Sequence, residues 1–459
     1  MTSPRYRKEA LATLHLGAPL IAAQLAQVSM GFVDAVMAGR LSPQDLAAVA
    51  VGANLFWPVA FGFIGVLFAV SPTVAQSYGA GHRLRIGHTV RQGLWLAAVV
   101  GVASFVALRN APRLLGLVGV SPELIPTTTG FLHAISWGAP GLCIFQVLRS
   151  YSEGISMPRP VMYTSIMALV VNIIGNYVFM YGHLGMPRLG AVGCGVASAI
   201  VMWMDAIIMA VYILTHKQYK PDAAFSRFER PRFSEIAALA RLGLPMSMSL
   251  FMEASLFGAV ALLMGTLGTN VVAGHQIALN VASITFMIPM GLAMAITVRV
   301  GQAVGRQDPV GARTAGIVGI SLAASFMAFA ALLILTFPDL IAGIYTADPG
   351  VKRVAVTLLF MAAIFQISDG MQVSAAGALR GLKDTKVPML ITVIAYWVIG
   401  MPLGYALGIT LGGGARSMWI GIICGLTTAA ILLNTRFFLV TKRLLRDLNR
   451  TAPAAEAGS

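Results

Sequence analysis

Charge is scarce in this sequence, and so is cysteine. Only 11% of its 459 residues are Asp, Glu, Lys or Arg, well short of the roughly 25% that solvates an ordinary globular surface. Cys143, Cys194 and Cys424 all lie in apolar stretches. That excludes a disulfide framework and a thiolate metal cluster, and leaves them as small packing residues. There is no GxxxxGK[ST] loop, no HExxH and no nucleophile elbow, so nothing points to ATP hydrolysis, zinc peptidase or acyl-enzyme chemistry. Acids are scarcer than bases, 17 against 32, for a net charge of +15. In a soluble chain such a balance suggests nucleic acid; here the placement of the charges decides otherwise.

What fills the sequence is hydrocarbon: 57% of residues are hydrophobic and the mean hydropathy is +0.80. A bilayer core about 30 Å thick takes about 20 apolar residues per helical crossing. Twelve runs qualify, near 12–38, 46–70, 90–108, 127–148, 160–181, 190–215, 244–267, 273–297, 314–337, 354–379, 388–410 and 417–439. The fold class is therefore all-α and integral to the membrane. The opening MTSPRYRKEALATLHLGAPL runs straight into the first span without a cleavage pattern, so it is read as retained. Lys and Arg then fix the orientation: 25 fall in the termini and even-to-odd loops and 7 in the opposite loops. The positive-inside rule puts both termini in the cytoplasm. On this count no basic residue lies deep inside a span, and the +15 describes a cytoplasmic membrane face, not a nucleic-acid surface.

The chain also repeats itself. Pro19 recurs as Pro245, Gln76 as Gln302, Gly79 as Gly305, Gly93 as Gly319, Leu96-Ala97-Ala98 as Leu322-Ala323-Ala324 and Gln146 as Gln372, all at one interval. Towards the end the register drifts, Gly154 matching Gly381 and Gly190-Ala191 matching Gly414-Ala415. Six spans per half keep the two halves in the same orientation, which predicts a pseudo-two-fold axis along the membrane normal and a cavity between lobes. The expected organisation is an N-lobe over 1–215, a linker loop over 216–243, a C-lobe over 244–440 and a cytoplasmic tail over 441–459.

Four acids fall within spans: Asp34, Asp205, Glu253 and Asp369. A carboxylate inside a bilayer needs a partner, a proton or a wet cavity. Asp34 shares one helical face with Gln24, Gln27 and Gly31, downstream of Pro19, which removes a backbone donor and permits a bend. Asn172 and Asn176 stand one turn apart in the fifth span, and Ser198 shares a face of the sixth with Asp205. Glu253 lies mid-span in the seventh, Asp369 mid-span in the tenth between Gln366 and Gln372, and Gln276 and Asn280 share a face of the eighth. Two mid-membrane carboxylates with amide oxygens nearby suit a proton or a hard monovalent cation. A purely structural interhelical hydrogen-bond network is the competing reading. The 24 methionines and aromatics such as Trp57, Phe61, Phe286 and Phe365 suit a deformable apolar cavity.

Several runs together resemble a known family: AQLAQVSMGFVDAVMAGRLS (23–42), QSYGAGH (76–82), NIIGNYVFMYGHLGMPRLGAVGCGVA (172–197), AGHQIALN (273–280), RVGQAVG (299–305), FQISDGMQV (365–373) and LRGLKDT (379–385). In order and in both halves, they are similar to the NorM branch of the multidrug and toxic compound extrusion (MATE) family. The resemblance implies a bacterial inner-membrane exporter of two six-helix bundles, monomeric and without a cofactor. It would expel organic cations such as fluoroquinolones and ethidium-like dyes by rocker-switch exchange for H+ or Na+. It assigns coupling to Asp34, Glu253 and Asp369, supporting polar positions to Asn172 and Asn176, and the hinge to Pro19. Relatives often carry a tyrosine where this chain has Phe365, which favours H+ over a sodium ion coordinated by a hydroxyl. Ser417 replaces an expected glycine, and Asp205 is not expected from the family.

The alternative of related fold, a lipid-linked saccharide flippase, needs a strongly cationic cavity for pyrophosphate, which the basic-residue pattern does not supply. A membrane-embedded prenyl or acyl transferase needs clustered aspartates or a His/Asp pair, and the acids here are scattered. A passive channel would carry flux independent of an ion gradient.

Overall fold

The computed structural model describes residues 4–116, 120–226 and 228–451, and every regular element among them is helical. Eleven helices are long and apolar enough to cross a membrane, and a bent pair completes a twelfth span. In chain order these are α1 (Pro4–Leu41), α2 (Pro43–Gly79), α3 (Arg83–Asn110), α4 (Ile125–Ser136 and Ala139–Gly154, meeting at 43°), α5 (Arg159–Phe179) and α6 (Ala191–Thr215). Then follow α7 (Phe233–Gly265), α8 (Thr269–Gly305), α9 (Pro309–Thr336), α10 (Pro349–Gly381), α11 (Lys386–Thr410) and α12 (Gly414–Asp447). The twelve expected spans are thus present, in an all-α chain. Apolar runs this long become helices because a hydrocarbon environment offers backbone groups no partner but one another.

Polar side chains mark several starts. Ser42 caps α2 by accepting from the Asp45 amide at 2.9 Å, Asp308 caps α9 through Gly311 at 2.7 Å, and Asp348 caps α10 through Val351 at 2.9 Å. Prolines 19, 58, 245 and 289 lie inside helices, where each removes a donor and permits a bend.

The chain forms two compact units that cut across the repeat. One, the Asp34 unit, comprises residues 22–74 and 82–251; the other, the Asp369 unit, takes the chain up to Ile21, residues 75–81 and everything from Met252. Helix α1 therefore changes unit just after Pro19, and α7 changes unit shortly after the repeat-related Pro245.

Within the Asp369 unit, two repeat-related glycines make reciprocal close approaches. A Cβ on Gly79 would strike the Gln302 carbonyl oxygen, and a Cβ on Gly305 would strike that of Gln76. Each glycine meets the counterpart of the other's partner, as a two-fold relation requires. Nearby, Arg299 forks onto both carboxylate oxygens of Glu9 at 2.8 and 2.6 Å, and Arg5 reaches Asp308 at 3.4 Å.

Within the Asp34 unit, the linker after α6 is pinned down by named contacts. Asp222, fully buried, accepts from Tyr151 at 2.8 Å and Arg83 at 3.2 Å. Arg91 donates to Glu229 at 2.8 Å and to the Ala223 carbonyl at 2.7 Å, while the Trp95 indole donates to the Glu229 carbonyl at 2.9 Å. The Arg91 hydrogen bond, with His88 beside it, pulls the Glu229 carboxyl down from 4.5 to about 2, whereas burial pushes that of Asp222 up. At the other end of the chain, helix continues to Thr451; the rest of the expected 441–459 tail lies outside the described residues.

Candidate functional site

The first cluster belongs to the Asp34 unit. Asn176 donates to Asp34 at 2.6 Å and makes a longer contact, 3.4 Å, to the Asn172 oxygen. Both asparagines are almost completely buried, while Asp34 keeps partial exposure. One turn of α5 thus presents two amides to one carboxylate, as their spacing predicts. The buried Cys194 side chain of α6 lies close to Asp34 and Ser198.

Gln24 points to a different partner. Its side-chain oxygen accepts from Arg149 at 2.8 Å, and Arg149 also donates to Glu153 at 2.7 Å. Arg149 and Glu153 are each only 3% exposed. Arg149, counted at a span edge in the sequence, is nevertheless covered by protein. The guanidinium sits near the end of α4, where sequence position reads as an edge but tertiary packing covers it. Asp205, also buried, has an oxygen without a hydrogen-bond partner and feels the field of Arg149. Gln27 remains partly exposed.

The second cluster belongs to the Asp369 unit. Gln372, one turn beyond Asp369 on α10, donates to Glu253 of α7 at 3.2 Å, with a longer contact of 3.4 Å to Asp369 itself. One amide thereby bridges two carboxylates from two helices. Gln366, fully buried, donates to Thr285 of α8 at 2.6 Å. Gln276 and Asn280 stand on an exposed face of α8 and hydrogen-bond to neither carboxylate. The Phe365 ring packs edge-on against Trp419 at 5.7 Å, and the Trp419 indole donates to His275 at 3.1 Å. Tyr396 of α11, which the sequence reading passed over inside an apolar run, lies within electrostatic reach of both Glu253 and Asp369.

The two clusters share one property. Among the described residues, Asp34, Glu253 and Asp369 form no ion pair; their hydrogen-bonding partners are amides. Arg149, the basic group beside Gln24, is committed to Glu153 and Gln24.

Comparison with known proteins gives the chain its family. The MatE family model matches the chain twice, over residues 19–178 and 245–406, and the two matches begin at the repeat-related Pro19 and Pro245. The multidrug resistance protein PmpM of Pseudomonas aeruginosa is 44% identical over 451 residues, 97% of this chain and 94% of that protein. The multidrug resistance protein NorM of Aliivibrio fischeri is 41% identical over 446 residues, 96% of this chain and 97% of that one. Among solved structures, the eukaryotic MATE transporter AtDTX14 superposes with a TM-score of 0.89 at 18% identity, covering 96% of this chain and 98% of that one. A MOP superfamily transporter from Pyrococcus furiosus gives 0.86 at 20% identity, covering 97% and 99%. The paired family matches and the near full-length relatives make this chain a member of the MatE family.

Proposed function

We propose that this protein is a secondary active multidrug exporter of the bacterial inner membrane, with both termini cytoplasmic. It exchanges amphiphilic organic cations for H+ or Na+ by alternating access of two six-span halves. The carrying observation is the pair of carboxylate clusters, one per half of the repeat, each hydrogen-bonded by neutral groups, with Arg380 the basic side chain whose field reaches Glu253. Near-full-length relatives named as multidrug resistance proteins support the same reading.

The mechanism follows from charge competition. An ionised cluster holds a lipophilic cation. A proton or sodium ion arriving from outside neutralises or occupies the carboxylates, releases the drug, and lets the carrier return carrying the small ion. Each elementary charge moved down the field supplies about 2.3 kcal/mol per 100 mV. Asp34, Glu253 and Asp369 exchange the ion; Asn172, Asn176, Gln372 and the Ser198 side of α6 orient them; Pro19 bends α1 where it changes unit. Gln24 is held on α1 by Arg149. Gln27, Asp205, Gln276 and Asn280 add polar surface.

Ethidium efflux from energised cells, with the proton and sodium gradients collapsed separately, tests the reading. Wild-type efflux should stop when the driving gradient is removed, and D34N and D369N should each lose it. Undiminished efflux by D34N or D369N would remove that residue from the exchange, and efflux indifferent to both gradients would identify a passive path.

A further inference from the structure

The bend in α4 leaves a groove against α6 within the Asp34 unit. The two pieces of α4 meet at 43°, and small residues at the bend draw α6 in: a Cβ on Gly138 would press on Ala199, and one on Gly141 on the Trp203 ring. The Trp203 indole donates to the Trp137 carbonyl at 2.8 Å. Past these two tryptophans runs a groove of about 500 Å³, lined from Ala134 to Ile207 by apolar side chains alone. Trp137, Ile200, Trp203 and Ile207 keep between 40% and 61% of their surface exposed. Ile200, Trp203 and Ile207 share the face of α6 opposite Cys194 and Ser198, so the groove opens away from the Asp34 cluster, toward the hydrocarbon around the spans.

A single cation stands at one end of it. Arg109, near the end of α3, lies 5.9 Å from the Trp137 ring and 5.5 Å from that of Phe105, and the two rings pack on each other at 4.9 Å. These cation–π contacts orient the guanidinium, and among the described residues no carboxylate neutralises it. His133, next to Ala134, reaches the Arg109 carbonyl at 3.3 Å, which sets Arg109 level with the Ala134 end of the groove. That end of α3 lies three crossings from the N-terminus, on the membrane face opposite both termini.

We propose that the groove binds one acyl chain of an anionic phospholipid from the leaflet facing away from the termini, with the lipid phosphate on Arg109. The guanidinium gives a phosphate charge-assisted hydrogen bonds and repels the organic cations proposed as cargo. Between Val196 and Ile207, α6 rises about 16 Å, against about 15 Å for one leaflet's share of the hydrocarbon core. The apolar lining therefore ends about where an acyl chain ends. It offers a polypeptide backbone no hydrogen-bonding partner, and tryptophans beside a basic group are the side chains that sit at a headgroup boundary.

Native mass spectrometry of the purified full-length protein, offered phosphatidylglycerol and phosphatidylethanolamine in equal amounts, tests the site. Wild type should retain phosphatidylglycerol preferentially, one molecule per chain at the lowest lipid concentrations. R109Q should bind phosphatidylglycerol about fivefold more weakly, the scale of one basic side chain at a membrane surface, with phosphatidylethanolamine unaffected. I200W, which fills the groove from an exposed position, should weaken retention of both. Equal retention of the two lipids by wild type, or a preference that R109Q leaves intact, overturns the proposal, as does a lipid-free dimer whose interface covers the groove. Phosphatidylglycerol carrying a diazirine near the end of its acyl chain reads the same site without any variant. It should label wild type within residues 200–207, and labelling confined to other segments overturns the assignment.

Discussion

The two halves of the repeat solve the same problem with different charge. In the first, one carboxylate, Asp34, is held by the amide of Asn176, with Asn172 behind it. In the second, one amide, Gln372, is shared by two carboxylates, Glu253 and Asp369. The frame is common to both, since Gln76 and Gln302 make repeat-related contacts with Gly305 and Gly79. The difference teaches that duplication preserved the backbone while the sites diverged. The first cluster thus holds one carboxylate and the second holds two.

The largest effect should come from erasing that difference. D369N leaves the second half with one carboxylate among amides. With that carboxylate gone from the exchange, the drug ratio sustained at about 100 mV should collapse, measured as loss of ethidium accumulation in energised vesicles. The reciprocal variant, N176D, gives the first half a second carboxylate. It should increase the protons released when ethidium binds, and an unchanged release would show that carboxylate count is not what separates the halves.

A second contrast is Arg149. Its counterparts in the two registers of the repeat, Ala375 and Ala376, carry no charge, so the buried ion pair belongs to the first half. Arg149→Met strands Glu153 and should destabilise the protein by about 3–5 kcal/mol, with E153Q in the same chain recovering part of the loss in a thermal melt. Where the halves are alike, responses should be alike. G79A and G305A each push a methyl onto a backbone carbonyl and should cost a similar amount, about 1–3 kcal/mol. A large inequality in melting temperature would break the two-fold relation.

The smallest effect concerns the linker. The Glu229 carboxyl falls from 4.5 to about 2 on folding, so its stabilisation is complete above the ordinary value and is lost as pH falls through the lowered one. The melting-temperature difference between wild type and E229Q should shrink as pH falls below about 4. A difference that grew as pH fell would contradict the assignment.

Much of this was legible in the residues, for definable reasons. Crossing a membrane demands a length and an apolarity that are local properties, so the spans could be counted. A duplication leaves equal intervals between like residues, so the halves could be matched. Carboxylates in hydrocarbon are conspicuous, so Asp34, Glu253 and Asp369 stood out. The partners were less legible. Arg149 looked like a span-edge cation because distance from a loop says nothing about what packs over it. Cys194 gave no sign of its neighbour Asp34, 160 positions away in the chain, because closeness in space leaves no mark on spacing. Tyr396 was hidden among apolar neighbours, and an unpartnered hydroxyl has no signature in one dimension.

By itself, then, the sequence determined an all-helical membrane chain of twelve spans, its internal duplication and the acids that fall within those spans, because each depends on composition and spacing along the chain. Tertiary structure alone decided that α1 and α7 each serve two compact units, that the linker is pinned by Arg91 and Glu229, and which buried oxygens are left without partners. Those facts depend on distances between residues far apart in sequence, and hydrogen bonding and desolvation act across space.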